Sequence, residues 1–142
     1  MIVGFKKLSP DAKPFEYSRP DDACMDMFAL DYTKIYRNKL THIKTGIAVE
    51  IPDGYEGIIR GRSGYALTHG IFIHVGTIDS AYRGDVGIIA TLVGYGDTPF
   101  IIIPKHARIA QFSIHPVIKI DLIERQLSET ERGENSFGSS GL

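Results

Sequence analysis

Between Gly76 and Gly84 the chain runs Thr77-Ile78-Asp79-Ser80-Ala81-Tyr82-Arg83, placing a carboxylate, an aromatic ring and a guanidinium close together. Asp79 has the chemistry of a general base, and Tyr82 offers a flat face three residues on. Flanking glycines and a switch from apolar to polar residues predict a β-hairpin with a ligand at its tip. Taken alone, the pattern also fits an ordinary turn that carries an Asp.

Four further clusters hold groups of matching chemistry. Arg62-Ser63-Gly64 opens a short helical stretch. Backbone N–H groups at a helix start lack partners and favour anions, Arg62 adds a planar fork of donors, and Gly64 permits close approach. This reads as a phosphate cradle; a Ser cap beside a surface Arg is the alternative. Arg108-Ile109-Ala110-Gln111 begins a strand, with Ile109 inward and the polar pair at its edges. Gln111 could donate to phosphate or position a water, or be an ordinary strand residue. Ala23 to Ala29 reads as a buried strand carrying Asp26, whose carboxylate needs a backbone N–H or a metal-bound water as partner. Arg132 to Gly141 combines glycines with the donors Arg132, Ser139 and Ser140. Phe137 there could stack on a flat base, and a plain disordered tail is the bland reading. Cys24 reads as a packing residue. His69 and His74, five apart, fall on opposite faces of a strand and gain no further ligand for a metal.

Elements must hold these groups, and strand signals dominate. Short Ile- and Val-rich runs occupy 2–5, 43–51, 55–59, 71–75, 86–93, 100–103, 109–114 and 117–123. Pro52-Asp53-Gly54, Gly94 to Asp97 and His115-Pro116 separate several of them. Alternation is clear in Ile47-Ala48-Val49-Glu50-Ile51, so one face is buried. The best helix is 63–68, with Ser63 as cap and Gly70 as terminator. The expectation is an all-β single domain with one short helix, spaced as in a sandwich or barrel. Residues 1–127 form that domain. Residues 128–142, poor in apolar groups, form a flexible C-terminal arm.

The 142 residues suit one domain with one core. A net charge of −1 supplies no global basic field for nucleic acid, and no apolar run approaches a membrane span. One cysteine excludes an intrachain disulfide and fits a reducing compartment. MIVGFKKLSP lacks the pattern of a signal peptide, so the expected location is cytoplasmic.

In this order the five clusters resemble the motifs of the homotrimeric dUTP pyrophosphatases (dUTPases), across residues 23 to 141. The run Gly76-Thr77-Ile78-Asp79 with Tyr82-Arg83-Gly84 is the most specific. Departures are Cys24 and His106 where the family often has Gly, Ala81 where Asp or Gly is common, and Asn135-Ser136 in place of a glycine pair. The stretch 70–76 is about two residues short.

The resemblance implies a jelly-roll homotrimer with three shared sites, each drawing its motifs from different chains. The arm closes over a neighbouring site. It implies hydrolysis of dUTP to dUMP and pyrophosphate, keeping uracil out of DNA and supplying dUMP for thymidylate synthesis. Asp79 is then the catalytic base toward a water attacking the α-phosphorus. Arg62, Ser63, Gly64, Gln111 and Arg132 hold phosphates, with Ser139 and Ser140. Gly76, Ile78 and Tyr82 meet uracil and deoxyribose, and Phe137 with Gly138 covers the base. Mg²⁺ is carried mainly by the substrate phosphates, with no direct protein ligand; Asp26 and Gln111 reach it through water. The rival readings are a dCTP deaminase-like enzyme of the same fold, whose Glu-centred motif is missing here, and a nucleotide-gated regulatory protein.

Overall fold

The computed structural model describes residues 1–93, 96 and 98–134. Eleven strands and one helix are found among them: β1 (Gly4–Lys7), β2 (Met25–Phe28), β3 (Thr33–Tyr36), β4 (Thr41–Ile43), β5 (Ile47–Glu50), β6 (Tyr55–Gly61), α1 (Ser63–His69), β7 (Ile71–Ile73), β8 (Gly76–Ile78), β9 (Ile88–Leu92), β10 (Phe100–Ile103) and β11 (Arg108–Pro116). They form four small antiparallel sheets, ordered β2-β11-β6-β8, β4-β9-β7, β1-β5 and β3-β10. Between them lies one core, built mainly from isoleucines such as Ile35, Ile43, Ile71, Ile88 and Ile109, with Phe112 and Leu92. Short strands cannot bury two faces each, so β-branched side chains on one face of each sheet fill a shared interior.

The sheet β2-β11-β6-β8 positions most of the predicted site. Its inner face carries Gly57, Ile59, Ala110 and Phe112. Gly57 is there for space: a Cβ would stand 2.5 Å from the Phe112 ring. The opposite face carries Asp26, Arg60 and Gln111 side by side, because Gln111 pairs with Asp26 on one edge and with Arg60 on the other.

Several expectations are corrected. The run 43–51 is two strands, because Gly46 turns the chain at φ 68° and no Cβ fits beside Ala12 and Leu30. Ser63 does not cap α1: Arg62 is the cap residue, extended, with no side-chain cap bond, and Ser63 is the first helical residue. Gly70 does end the helix, at φ 63° and with its N–H on the Ala66 carbonyl. The hairpin predicted for 76–84 does not form: β8 pairs with β6, whereas the next strand, β9, pairs with β4 and β7. His69 therefore ends a helix while His74 follows a strand. Residues 117–123 form no strand, although Ile118, Ile120 and Leu122 are strongly exposed. β3, flanked by Asp31-Tyr32 and carrying Lys34, has too weak an alternation to stand out in the sequence.

Candidate active site

Asp26 organises one half of the site. It is 4% exposed, and a buried carboxylate must be paired. Ser18 Oγ donates to its Oδ2 at 2.7 Å. Arg62 Nε lies 3.4 Å from Oδ1 and Arg108 Nε 3.3 Å from Oδ2. Arg62 also donates to the Arg108 carbonyl at 2.7 Å. One anion thus aims two guanidinium groups at the same place.

Arg108 and Gln111 share a face only because the strand is irregular. Three residues apart, they should point to opposite sides of a regular strand. The register shifts between Arg108 and Ala110, where a bulge adds one residue against β2. Arg108 then pairs with Phe28 and Gln111 with Asp26, two positions that lie on the same side of β2. The expectation that Arg108 and Gln111 merely edge a strand missed this, because a bulge leaves no periodic mark. Glu16 and Ser18 were missed for a related reason: they lie outside any strand, between β1 and β2, and reach Asp26 through an isolated bridge and a side-chain bond. Glu16 lies 3.7 Å from Arg108, and the Lys13 ammonium 2.9 Å away holds its carboxyl below the usual range.

Beside this face lies a cleft of about 320 Å³, lined by Arg62, Ser63, Gly64, Tyr65, Thr68, His69 and Gln111. A Cβ on Gly64 would meet nothing within 4 Å. Glycine near a helix start that no neighbour requires leaves backbone open to whatever enters the cleft. Thr68, in contrast, turns its hydroxyl onto the Gly64 carbonyl at 2.6 Å.

Asp79 and Tyr82 lie elsewhere. They line a second cleft of about 260 Å³ with His42, Thr77, Ile78, Asp85, Gly87 and Ile89. Asp79 is exposed. Tyr82 donates its N–H to the Asp79 carbonyl at 3.0 Å and its hydroxyl to the Asp85 carbonyl at 3.0 Å. Gly76 and Ile78 present their inner sides to the core: a Cβ on Gly76 would touch Ile59 at 3.3 Å, and Ile78 packs at the core edge. What they can offer a ligand is backbone.

The two clefts are at opposite ends of β6. Ile78 pairs with Gly57, whereas Arg62 lies five residues further along the chain. At about 3.3 Å per residue the separation is on the order of 17 Å. A single chain does not bring Asp79 to the arginine face. An apolar groove of about 400 Å³, lined by groups such as Val3, Phe5, Phe15 and Met25, contains none of the predicted site residues. Arg132 is described, in a turn closed by the Gly133 N–H on the Thr130 carbonyl at 3.1 Å. Phe137, Gly138, Ser139 and Ser140 lie outside the described residues.

The donors present decide how a divalent cation could be held. Among the described residues no three His, Cys, Asp or Glu side chains converge. Asp26 faces two cations and a hydroxyl already, which disfavours direct ligation of a metal. Such a donor set would suit an ion that brings most of its own ligands.

Comparison with known proteins gives a consistent result. Residues 11–141 match the family model described as dUTPase. The chain is 42% identical over 139 residues to the deoxyuridine 5'-triphosphate nucleotidohydrolase of Clostridium tetani, covering 96% of this chain and 94% of that protein. The protein of the same name from Trichodesmium erythraeum is 43% identical over 144 residues, covering 99% of both. Among solved structures, a point mutant of the Staphylococcus bacteriophage 80alpha dUTPase with dUpNHpp is similar with TM-score 0.90 and 31% identity over 99% of each chain. A point-mutant dUTPase of phage phi11 of S. aureus, described with a structural Mg(II) ion, has TM-score 0.78 and 27% identity, covering 92% of this chain and 99% of that one. The strands of the present chain are accordingly those of a jelly roll.

Proposed function

This chain belongs to the dUTPase family, and on that footing we propose how its separated clusters divide the work of one hydrolytic site. The reaction is dUTP plus water giving dUMP and pyrophosphate, so the protein is a dUTP diphosphatase. The observation that carries the division of labour is the separation of Asp79 from the arginine face along β6.

A site that needs both halves is assembled from more than one chain. In a homotrimer, the cleft of Arg62, Ser63, Gly64 and Gln111 belongs to one subunit and the Asp79–Tyr82 cleft to a second. The arm 128–142, with Arg132 and Phe137, comes from a third and covers the nucleotide.

Asp79 orients a water and takes its proton as the oxygen bonds to the α-phosphorus. The bond from that phosphorus to the bridging oxygen breaks, and pyrophosphate leaves. Arg62 and Arg132 offset the charge that builds on the departing group, with Ser63 and the Gly64 amide on the β-phosphate side. Asp26 contributes by fixing Arg62 and Arg108 before substrate arrives, which spares reorganisation during the reaction. Magnesium, when bound to the triphosphate, would offset its charge, with Asp26 and Gln111 reaching its waters. Tyr82 packs its face on the deoxyribose, and its hydroxyl is already engaged, so exclusion of a ribose 2′-OH is by shape. Main chain of residues 76–78 reads the uracil edge. No described helix is long and apolar enough to cross a membrane, and the nucleotide substrate fits a cytoplasmic location.

Pyrophosphate release from a panel of dNTPs and UTP, with and without Mg²⁺, tests this reading. dUTP should be turned over far faster than the others. Asp79→Asn should lower turnover by about 10²- to 10⁴-fold while nucleotide still binds. Near-normal turnover in that variant removes Asp79 from its role.

A further inference from the structure

We propose that Asp85 is a positioning residue for sugar discrimination: its carboxylate, anchored on Thr45 and Gly46, holds the 79–85 turn so that Tyr82 presents its ring in one orientation. The proposal rests on the reading of Tyr82 as the surface that meets the sugar.

Three contacts in series carry it. First, Asp85 Oδ1 accepts the Gly46 N–H at 2.8 Å and the Thr45 N–H at 3.3 Å, and lies 3.0 Å from the Thr45 hydroxyl. Thr45 is fully buried, so this anchor is on the core and not on solvent. Its hydroxyl is also 3.0 Å from the Val86 carbonyl, and the Val86 N–H returns to the Ile47 carbonyl at 2.8 Å. Second, the Asp85 carbonyl accepts the Tyr82 hydroxyl at 3.0 Å. Third, the Tyr82 N–H holds the Asp79 carbonyl at 3.0 Å. The carboxylate is thus coupled through two hydrogen bonds to the backbone of the reacting residue.

Gly84 shows how tightly the ring is set. A Cβ there would lie 2.4 Å from the Tyr82 hydroxyl oxygen, so the tyrosine folds back over bare backbone. A charged acceptor with two amide donors is among the stronger hydrogen-bonding arrangements available to a loop. The same carbonyl also accepts the Gly87 N–H at 2.9 Å, so the carboxylate and that backbone bond together set it under the Tyr82 hydroxyl, and losing the carboxylate leaves it held from one side only. The ring would then sample orientations that no longer distinguish sugars by shape. Shape discrimination of one small group is worth roughly 10- to 200-fold at best, so its loss should be visible in a ratio of substrates.

The test measures kcat/KM for dUTP and for UTP with the full chain, together with thermal melting. Asp85→Ala should lower the dUTP-to-UTP ratio by about tenfold, in the same direction as Tyr82→Ala. Asp85→Asn keeps an oxygen acceptor for the two amides and should stay within about threefold of the starting ratio. An Asp85→Ala protein that melts earlier but keeps the original ratio overturns the proposal, because Asp85 is then only a structural clamp. If Asp85→Ala does not fold, Thr45→Val removes one donor and should lower the ratio by about threefold, an unchanged ratio again overturning it. Tyr82→Ala with an unchanged ratio would instead defeat the reading of Tyr82 at the sugar, which separates the two failures.

Discussion

Gly64 and Asp26 make opposite demands on the fold. Asp26 is surrounded by Ser18, Arg62 and Arg108, whereas position 64 borders open space. Gly64→Ala should therefore leave the melting temperature unchanged or slightly raised, since Ala favours a helix over Gly by about 0.8–1 kcal/mol. The same methyl group should raise KM for dUTP by about tenfold or more, by keeping phosphate from the backbone. An unchanged KM would take Gly64 out of the cradle. Individual side chains were legible where their chemistry is rare: an Asp and Tyr between glycines, an Arg-Ser-Gly, a lone buried Asp. The partners of Asp26 were not legible. Ser18 and Glu16 sit in an irregular segment, and Arg108 depends on a bulge that the alternation of Ile109 and Ala110 conceals.

At the scale of elements, the turn between β10 and β11 is held to the N-terminal segment by charge. Lys105 Nζ lies 2.8 Å from Asp11 Oδ2, and the His106 ring bonds the Asp11 carbonyl at 2.8 Å. His106 has φ 61°, the left-handed region, which accounts for a position where glycine would serve without strain. The hydrogen bond from Lys105, followed by its charge, holds the Asp11 carboxyl below its ordinary value. A depressed carboxylate adds stability above its unfolded value and loses it as pH falls through the folded one. Asp11→Asn should thus melt slightly below the parent at pH 6, and the gap should close as pH falls below about 4. The pair is exposed, so the gap should be small. A constant gap across that range would assign the loss to something other than this charge. Most strands were readable because Ile and Val runs end at Gly, Pro or Asp. The split at Gly46 and the separate partners of β7 and β8 were not, since both follow from packing against distant chain.

For the whole molecule, residues 117–127 pose the plainest question. Richness in Ile and Val predicts a strand over 117–123, but none forms, and the backbone bond at its start is the Val117 N–H on the Gly54 carbonyl at 2.8 Å. Beyond it Ile118 is 86% exposed, Ile120 76% and Leu122 92%. Exposed apolar rows of this kind often mark interaction surfaces, and on the proposed shared site a second copy of the chain would cover this one. Replacing Ile120 and Leu122 together with Asp should leave the jelly roll folded, since neither side chain joins the core. Sedimentation should then show monomers, and pyrophosphate release should fall with the trimer. An active monomer would sever assembly from catalysis.

The most direct test of the composite site uses two crippled chains. Asp79→Asn lacks the base and Arg62→Ala lacks the cradle, and each alone should be nearly inactive. Co-expressed in equal amounts, they form mixed trimers in which some sites draw Arg62 from one chain and Asp79 from the other. Random assortment of halves gives an intact site in about one quarter of cases, so about a quarter of normal pyrophosphate release should return. Release no greater than that of the two parents would contradict the account, because each site would then be built within one chain.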